Sequence, residues 1–196
     1  MIRGFYAVVD REDLCAAVLR GGAGAVQLRV KPASTRALID LGRRLRALTR
    51  GRVPFIVNDR ADVALLCEAD GVHLGQDDLP LRAARRLMGS RVIGISTHTL
   101  EQAREAARGG ADYIGFGPVF STTTKERPDP VTGLETLRRV CAELPIPVVA
   151  IGGITPANVA EVVACGAAAA VSIAAMNAAP DVASAAASIA RAFELR

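Results

Sequence analysis

The chain has 196 residues, of which 51% are hydrophobic, and we predict one domain over residues 1–196 because this length and composition suffice for one substantial core. No run approaches the roughly 18 consecutive uncharged apolar residues of a membrane span, and the first residues lack the apolar stretch of a signal peptide, so we expect a cytoplasmic protein without a membrane partner. The net charge is +4, but arginine is spread along the whole chain and aromatic residues make up only 4% of it, which does not favour binding to nucleic acid.

Short β-branched runs alternate along the chain with alanine, leucine and arginine segments of helical spacing. Eight buried parallel strands joined by helices close most simply into a (β/α)8 TIM barrel of the α/β class. An open doubly wound sheet is the alternative, but no GxGxxG motif follows the first strand. The strand runs are FYAVV, AVQLRV, FIVN, GVHL, VIGIS, YIGFG, PVVAI and AAVSI. Two helix starts are also predicted: Thr99–Gln102 fits a capping box, and Thr155 with Pro156 supplies an N-cap and a first-turn proline.

Polar residues and glycines concentrate where these strands end. In a (β/α)8 barrel the active site is built from the loops after the carboxyl ends of the strands, so the sequence predicts one site at that end. In chain order these residues are Gln27, Arg29 and Lys31, Asn58 and Asp59, Gln76 and Asp78, Ser96, Thr122, Thr124 and Lys125, Gly152 and Gly153, and Ile173 and Ala174.

The second strand carries an alternating row of polar side chains. Gln27, Arg29 and Lys31 alternate with apolar residues and so point the same way in a strand. Such a row is costly to bury unless it faces a polar ligand, and a pyrophosphate fits that need. The alternative is that the strand ends early and its last residues are solvated. Lysine is otherwise scarce: Lys31 and Lys125 are the only two in the chain.

Asp59 and Asp78 follow adjacent strands and should lie close enough to share an ion. Mg²⁺ commonly takes one or two protein carboxylates and completes its shell with water and phosphate oxygens, so we predict a magnesium site. The alternative is that each aspartate is a helix N-cap.

Two further segments indicate phosphate chemistry. Backbone amides after the seventh and eighth strands, at Gly152–Gly153 and Ile173–Ala174, are the usual phosphate cradle of this fold. The loop Ser121–Thr132 is about twice the usual length and is predicted to be a lid that carries Lys125 to the substrate.

Of the two histidines, His98 is interpreted as a capping or surface residue and His73 as a core residue that supports the site.

Taken in order, six motifs closely resemble the thiamine phosphate synthase family over nearly the whole chain. They are QLRVK at 27–31, VND at 57–59, DGVHLGQDD at 70–78, GIS at 94–96, GFGPVFSTTTK at 115–125 and IGGI at 151–154. The resemblance implies a (β/α)8 barrel enzyme that joins hydroxymethylpyrimidine diphosphate to a thiazole phosphate with Mg²⁺ and releases pyrophosphate. It also implies a dissociative mechanism, in which a pyrimidine methyl cation forms before the thiazole nitrogen captures it.

The resemblance also implies a role for each matching residue. The diphosphate would be held by Gln27, Arg29, Lys31 and Asn58, and Mg²⁺ by Asp59 and Asp78. Near the breaking bond, the pyrimidine diphosphate would be acted on catalytically by Ser96 and Lys125. The thiazole phosphate would be held by Thr122, Thr124, Gly153, Ile173 and Ala174.

One position departs from the family pattern. Family members usually carry a serine in the turn after the eighth strand, where this chain has Ala174. Two alternatives stay open: a thiazole tautomerase of the same fold, which typically has a histidine at the position of Pro118 and lacks the paired aspartates, and a non-catalytic phosphate-binding or regulatory barrel. The sequence also leaves open whether the chain forms a homo-oligomer.

Overall fold

Eight parallel strands close into a barrel in chain order in a computed structural model, which describes residues 2–122 and 130–195. The predicted (β/α)8 TIM barrel is therefore confirmed. The strands are β1 (Gly4–Val9), β2 (Ala25–Leu28), β3 (Phe55–Asn58), β4 (Gly71–Leu74), β5 (Val92–Thr97), β6 (Tyr113–Phe116), β7 (Val148–Ala150) and β8 (Ala169–Val171).

Helices connect successive strands and cover the outside of the barrel. They are α1 (Glu12–Arg20), α2 (Thr35–Thr49), α3 (Ala61–Leu66), α4 (Leu81–Met88), α5 (Leu100–Arg108), α6 (Gly133–Glu143), α7 (Val159–Ala164), α8 (Ala174–Ala178) and α9 (Val182–Glu194). Within the described ranges, no helix is both long and apolar enough to cross a membrane.

The apolar residues form two separate layers because alternate strand residues point to opposite faces. Phe5, Ala7 and Val9 of β1 belong to the large layer between strands and helices. Tyr6 of the same strand belongs to a smaller cluster inside the barrel, together with Tyr113 of β6. Side chains of this second set therefore face the barrel interior rather than the helices.

The two predicted helix starts have different outcomes. Thr99 caps α5 as predicted, since its hydroxyl accepts the Gln102 N–H at 3.2 Å. The Gln102 side chain, however, accepts from the N–H of His98. Thr155 caps a turn rather than the helix itself: its hydroxyl accepts the N–H of Ala157 at 3.3 Å, and Oδ1 of the Asn158 side chain accepts the Thr155 N–H at 2.8 Å. The predicted helix start is wrong, because α7 begins only at Val159 after the N-cap Asn158.

Two aspartates stabilise the amino-terminal end of the barrel in the same way. Asp70, just before β4, accepts two hydrogen bonds from Arg46 at 2.7 and 3.1 Å and one from the N–H of Phe55 at 2.8 Å. Asp112, just before β6, accepts from Arg85 at 2.6 Å and from the N–H of Ile93 at 2.7 Å. Each carboxylate thus ties an outer helix to the start of a neighbouring strand.

Candidate active site

A cavity of about 870 Å³ opens at the carboxyl ends of the strands, where the sequence predicted the site. The eleven described residues with a predicted role all line it: Gln27, Arg29, Lys31, Asn58, Asp59, Asp78, Ser96, Thr122, Gly153, Ile173 and Ala174. Thr124 and Lys125 lie outside the described residues, as does most of the predicted lid over 121–132. Every one of these residues that can be placed thus lines the same cavity, whereas the site itself and the individual roles stay predictions.

The polar row after β2 reaches the cavity, although not as one continuous strand. Gln27 is buried within β2, but that strand ends at Leu28, so the alternative of an early strand end is correct for Arg29 and Lys31. Arg29 still donates its N–H to the carbonyl of Val9 at 2.9 Å, which keeps the chain beside β1. The row therefore begins on the barrel floor and continues onto the rim.

Asp59 sits on the rim in an uncommon backbone conformation. Its φ is +62°, in the left-handed region that few residues other than glycine, asparagine and aspartate adopt readily. Its N–H donates to the carbonyl of His73 at 2.8 Å, and its carboxylate pairs with the Lys31 ammonium at 2.6 Å. The helix-cap interpretation is wrong for Asp59, because the N-cap of α3 is Arg60 and no side chain caps that helix.

Asp78 lies beside Asp59. Its carboxylate accepts the N–H of Gly75 at 2.6 Å within the turn after β4, whereas α4 begins after Pro80, so the helix-cap interpretation is also wrong here. Burial raises the pKa of the Asp78 carboxyl; the Gly75 N–H opposes this, and the Asp59 carboxyl raises it further through a shared hydrogen bond and its negative charge. A carboxyl whose ionisation is disfavoured by a neighbouring carboxyl is well placed to receive a cation together with that neighbour.

This pair fits a magnesium ion better than it fits a metal enclosed by protein ligands alone. Among residues 2–122 and 130–195, no group of three or more histidine, cysteine, aspartate or glutamate side chains is placed to hold a metal. Mg²⁺ needs only one or two protein carboxylates when water and substrate phosphate complete its shell. Asp59 and Asp78 carry carboxylate oxygens of the kind that Mg²⁺ prefers.

The floor of the cavity is a chain of hydrogen bonds inside the barrel that the sequence did not predict. The Gln27 amide donates to the Tyr6 hydroxyl at 2.9 Å, and the Tyr6 and Tyr113 hydroxyls are 2.7 Å apart. The Tyr113 hydroxyl lies 2.9 Å from His73 Nδ1, and His73 Nε2 lies 2.9 Å from the Ser96 hydroxyl. All five residues line the cavity.

Every titratable group in this floor is held in its neutral form. Burial raises the pKa of Tyr6 and that of Tyr113. Burial also lowers the pKa of His73 to about 4, although the charge of Asp59 acts in the opposite direction. His73 is thus the supporting residue that the sequence indicated, and it is uncharged at neutral pH.

Glycines on the opposite side of the cavity allow the chain to pass close to its neighbours. Gly152 and Gly153 have φ of +98° and +65°, and a Cβ on Gly153 would lie 2.4 Å from the carbonyl oxygen of Ser121. These residues and the turn at Ile173–Ala174 line the cavity. The nearby Ser172 does not replace the hydroxyl that Ala174 lacks, because it is buried and donates to the carbonyl of Ile154 at 2.6 Å.

Several residues that line the cavity were not predicted from the sequence. His98 was interpreted as a capping or surface residue, but it lines the cavity, and its Nδ1 lies 2.6 Å from the carbonyl oxygen of Gly117. Tyr6 and Tyr113 appeared only within the predicted strand runs FYAVV and YIGFG, with no role assigned. One signal could have found them: they are the only two tyrosines of the chain, and each sits on a strand at a position that faces the barrel interior.

Comparison with known proteins gives consistent matches along the chain. A family model described as thiamine monophosphate synthase matches residues 5–178. A thiamine-phosphate synthase of Chloroflexus aurantiacus is 52% identical over 171 residues, which cover 87% of this chain and 79% of that protein. A thiamine-phosphate synthase of Anaeromyxobacter dehalogenans is 49% identical over 195 residues, which cover 97% of this chain and 88% of that protein. The solved structure of a thiamine phosphate pyrophosphorylase from Pyrococcus furiosus has a TM-score of 0.91 at 40% identity and covers 98% of this chain and 96% of that one.

Proposed function

Since the chain belongs to the thiamine monophosphate synthase family, we propose that it couples hydroxymethylpyrimidine diphosphate to 4-methyl-5-(2-phosphooxyethyl)thiazole and releases pyrophosphate. The observation that carries the proposal is the division of the cavity into a charged rim and a neutral floor. Arg29, Lys31, Asp59 and Asp78 lie on the rim, whereas the floor contains the neutral His73 and the tyrosines. A pyrophosphate leaving group suits the rim, and a pyrimidine ring that becomes cationic suits a polar, uncharged floor.

The rim has the groups that a diphosphate needs. Arg29 and Lys31 supply positive charge and Asn58 an amide donor, and Gln27 supplies a second amide from the floor below. Asp59 and Asp78 would hold Mg²⁺, which when bound neutralises negative charge on the pyrophosphate. The Lys31–Asp59 ion pair keeps both side chains at the place where diphosphate and metal would meet.

The proposed reaction needs no protein nucleophile and no general base. The bond between the pyrimidine methylene carbon and the diphosphate oxygen breaks, and its electron pair leaves with pyrophosphate. The thiazole nitrogen then gives its lone pair to the carbocation and forms the new carbon–nitrogen bond, so no proton is transferred. The residues of this chain contribute by binding, by orienting the two substrates and by stabilising the leaving charge with Arg29 and Lys31.

The thiazole phosphate is proposed to bind on the side of the cavity opposite the carboxylates. Gly153 and the turn at Ile173–Ala174 offer backbone amides, and Thr122 offers a hydroxyl. Thr124, Lys125 and the lid remain predictions for the segment that the structure does not describe. Ser96, on the floor, is proposed to contact the pyrimidine diphosphate.

Product analysis tests the proposal. The purified protein is incubated with both substrates and Mg²⁺, and thiamine phosphate and pyrophosphate are quantified together. We expect the two products in a 1:1 ratio and no product when EDTA removes Mg²⁺. Isomerisation of the thiazole without pyrophosphate release would instead identify a thiazole tautomerase, and binding of either phosphate compound without turnover would identify a non-catalytic barrel.

A further inference from the structure

The hydrogen-bond chain on the cavity floor has a direction, because each hydroxyl has one hydrogen to give. The Tyr6 oxygen accepts from the Gln27 amide, so the Tyr6 hydrogen is left for the Tyr113 oxygen. The Tyr113 hydrogen is then left for His73 Nδ1. His73 Nδ1 is therefore the unprotonated ring nitrogen.

The same direction continues from His73 to Ser96. A neutral imidazole with an unprotonated Nδ1 carries its hydrogen on Nε2, which lies 2.9 Å from the Ser96 hydroxyl oxygen. That oxygen accepts the bond, and the Ser96 hydrogen remains for the cavity. The opposite direction would leave the Tyr6 hydrogen without an acceptor in a fully buried position, which costs free energy.

Two glycines make room for the rings of this chain. A Cβ on Gly94 of β5 would lie 2.1 Å from Cζ of Tyr113, and one on Gly115 of β6 would lie 3.1 Å from Cε1 of His73. Both strands thus lack a side chain where a ring lies against the barrel wall. The hydrogen-bond chain also contains both tyrosines of the protein, so these rings form one specific arrangement rather than part of a general aromatic core.

We propose that Tyr6, Tyr113 and His73 are positioning residues that fix Ser96 as a hydrogen-bond donor toward an acceptor atom of the pyrimidine diphosphate. The identity of that ligand rests on the proposed function. His73 acts through Ser96 and keeps one tautomer, because Tyr113 occupies Nδ1. The four hydrogen bonds between Gln27 and Ser96 thus orient the Ser96 hydroxyl through geometry alone.

The tautomer of His73 is tested by ¹⁵N NMR of the full-length protein with labelled histidine. The chain has only two histidines, and the spectrum of His98→Gln assigns the second ring. We expect His73 to be neutral with its hydrogen on Nε2, and we expect Tyr113→Phe to give a mixture of tautomers. A hydrogen on Nδ1 in the unmodified protein, or an unchanged single tautomer in Tyr113→Phe, would overturn the proposal. This measurement needs no activity, so it stays decisive if the proposed reaction itself fails.

Steady-state kinetics test whether the direction of these hydrogen bonds affects binding of the pyrimidine diphosphate. His73→Leu should raise KM for the pyrimidine diphosphate about ten-fold, the effect of one misdirected hydrogen bond, and leave KM for the thiazole phosphate unchanged. His73→Gln, which can keep an N–H donor toward Ser96, should recover most of that loss.

A matched control separates positioning from a general loss of packing. Thr49→Val removes a buried hydroxyl from α2, which donates to the carbonyl of Leu45 at 3.0 Å far from the cavity. It should leave both KM values unchanged. If Tyr113→Phe and His73→Leu raise the two KM values equally, or if His73→Gln behaves like His73→Leu, the floor is only structural and the proposal is wrong.

Discussion

The two ends of the barrel use aspartate in opposite ways. At the amino-terminal end, Asp70 and Asp112 each bind an arginine and a backbone N–H, so their charges are compensated by the protein itself. At the carboxyl end, Asp59 and Asp78 lie beside each other, and Lys31 is the cation that pairs with Asp59. The first arrangement stabilises the fold, whereas the second leaves negative charge that a bound cation would compensate.

This difference shows why residue type alone does not identify a functional carboxylate. All four aspartates adjoin strands of the same barrel. Their partners distinguish them: Asp70 and Asp112 each bind a guanidinium and an N–H, whereas Asp59 and Asp78 lie against each other at the cavity. Substitutions at the two ends should therefore separate stability from activity.

The largest expected effect is the loss of activity in Asp59→Asn and Asp78→Asn. Asparagine removes the charge and tolerates the left-handed backbone of Asp59, so the fold should be retained. We expect Mg²⁺-dependent formation of thiamine phosphate to fall at least about 100-fold, the order found when one charge-stabilising group is removed from an active site. Thermal melting measured alongside should change little or rise, because like-charge repulsion is relieved.

Asp70→Asn and Asp112→Asn are the controls for these variants. They should lose stability and keep kcat/KM at a temperature at which they are folded. If Asp59→Asn and Asp78→Asn instead melt early and turn over normally at the same Mg²⁺ concentration, the proposed metal site is wrong and the comparison between the two ends fails.

Lys31 should show the next largest effect, on substrate binding rather than on stability. Lys31→Met is expected to raise KM for the pyrimidine diphosphate about 10- to 100-fold, as for one charged hydrogen bond of about 1.5–3 kcal/mol. Its ion pair with Asp59 is too exposed to stabilise the fold much, since 58% of the Lys31 side chain is accessible. Initial-rate kinetics and melting curves measure both effects.

Arg50→Met is the matched control for Lys31→Met. Arg50 forms a similarly exposed ion pair with Glu68 at 2.6 Å, away from the cavity. Its loss should leave KM unchanged. A Lys31→Met enzyme with normal KM would show that Lys31 only neutralises Asp59 and does not contact the diphosphate.

The arginine pairs at the amino-terminal end should affect stability alone. Arg85 donates to the carbonyls of Gly89, Arg91 and Gly110 as well as to Asp112. Arg85→Met should therefore lower the free energy of unfolding by about 1–3 kcal/mol and Tm by roughly 2–12 °C, with kcat/KM unchanged. Arg86→Met on the same helix is the control and should have little effect, since the described part of the chain shows no hydrogen bond or ion pair for Arg86. A loss of activity in folded Arg85→Met would mean that the two ends are coupled.

The sequence predicted the end of the barrel that carries the site, but not the contacts within it. Asp59 and Asp78 were found because parallel strands bring the residues after them to one edge whatever the intervening helices do. The floor was missed because its members lie far apart in sequence: Tyr6 and Tyr113 are separated by 107 positions and His73 and Tyr113 by 40. Such contacts depend on the register and closure of the barrel, and one sequence does not encode them in a local pattern.

Errors at the edges of elements have a similar origin. Leu28 ends β2 although the alternation of polar and apolar residues continues through Lys31, because alternation does not show where strand pairing stops. The start of α7 was predicted too early because the side chains of Thr155 and Asn158 stabilise a turn at this point, and the regular helix begins only after it, at Val159.

The smallest expected effect is that of Ala174→Ser, which tests whether the phosphate cradle opposite the carboxylates needs a hydroxyl. Ala174 is the first residue of α8 and lines the cavity, so a serine there can add one hydrogen bond without disturbing the core. We expect KM for the thiazole phosphate to fall by up to about ten-fold, the effect of one added bond of about 1.5 kcal/mol to a charged group, with KM for the pyrimidine diphosphate unchanged. Ala178→Ser, at the exposed far end of the same helix, is the control and should change neither value. An unchanged KM in Ala174→Ser would mean that the backbone amides already satisfy the phosphate, because a hydroxyl adds affinity only where an oxygen of the ligand still lacks a donor.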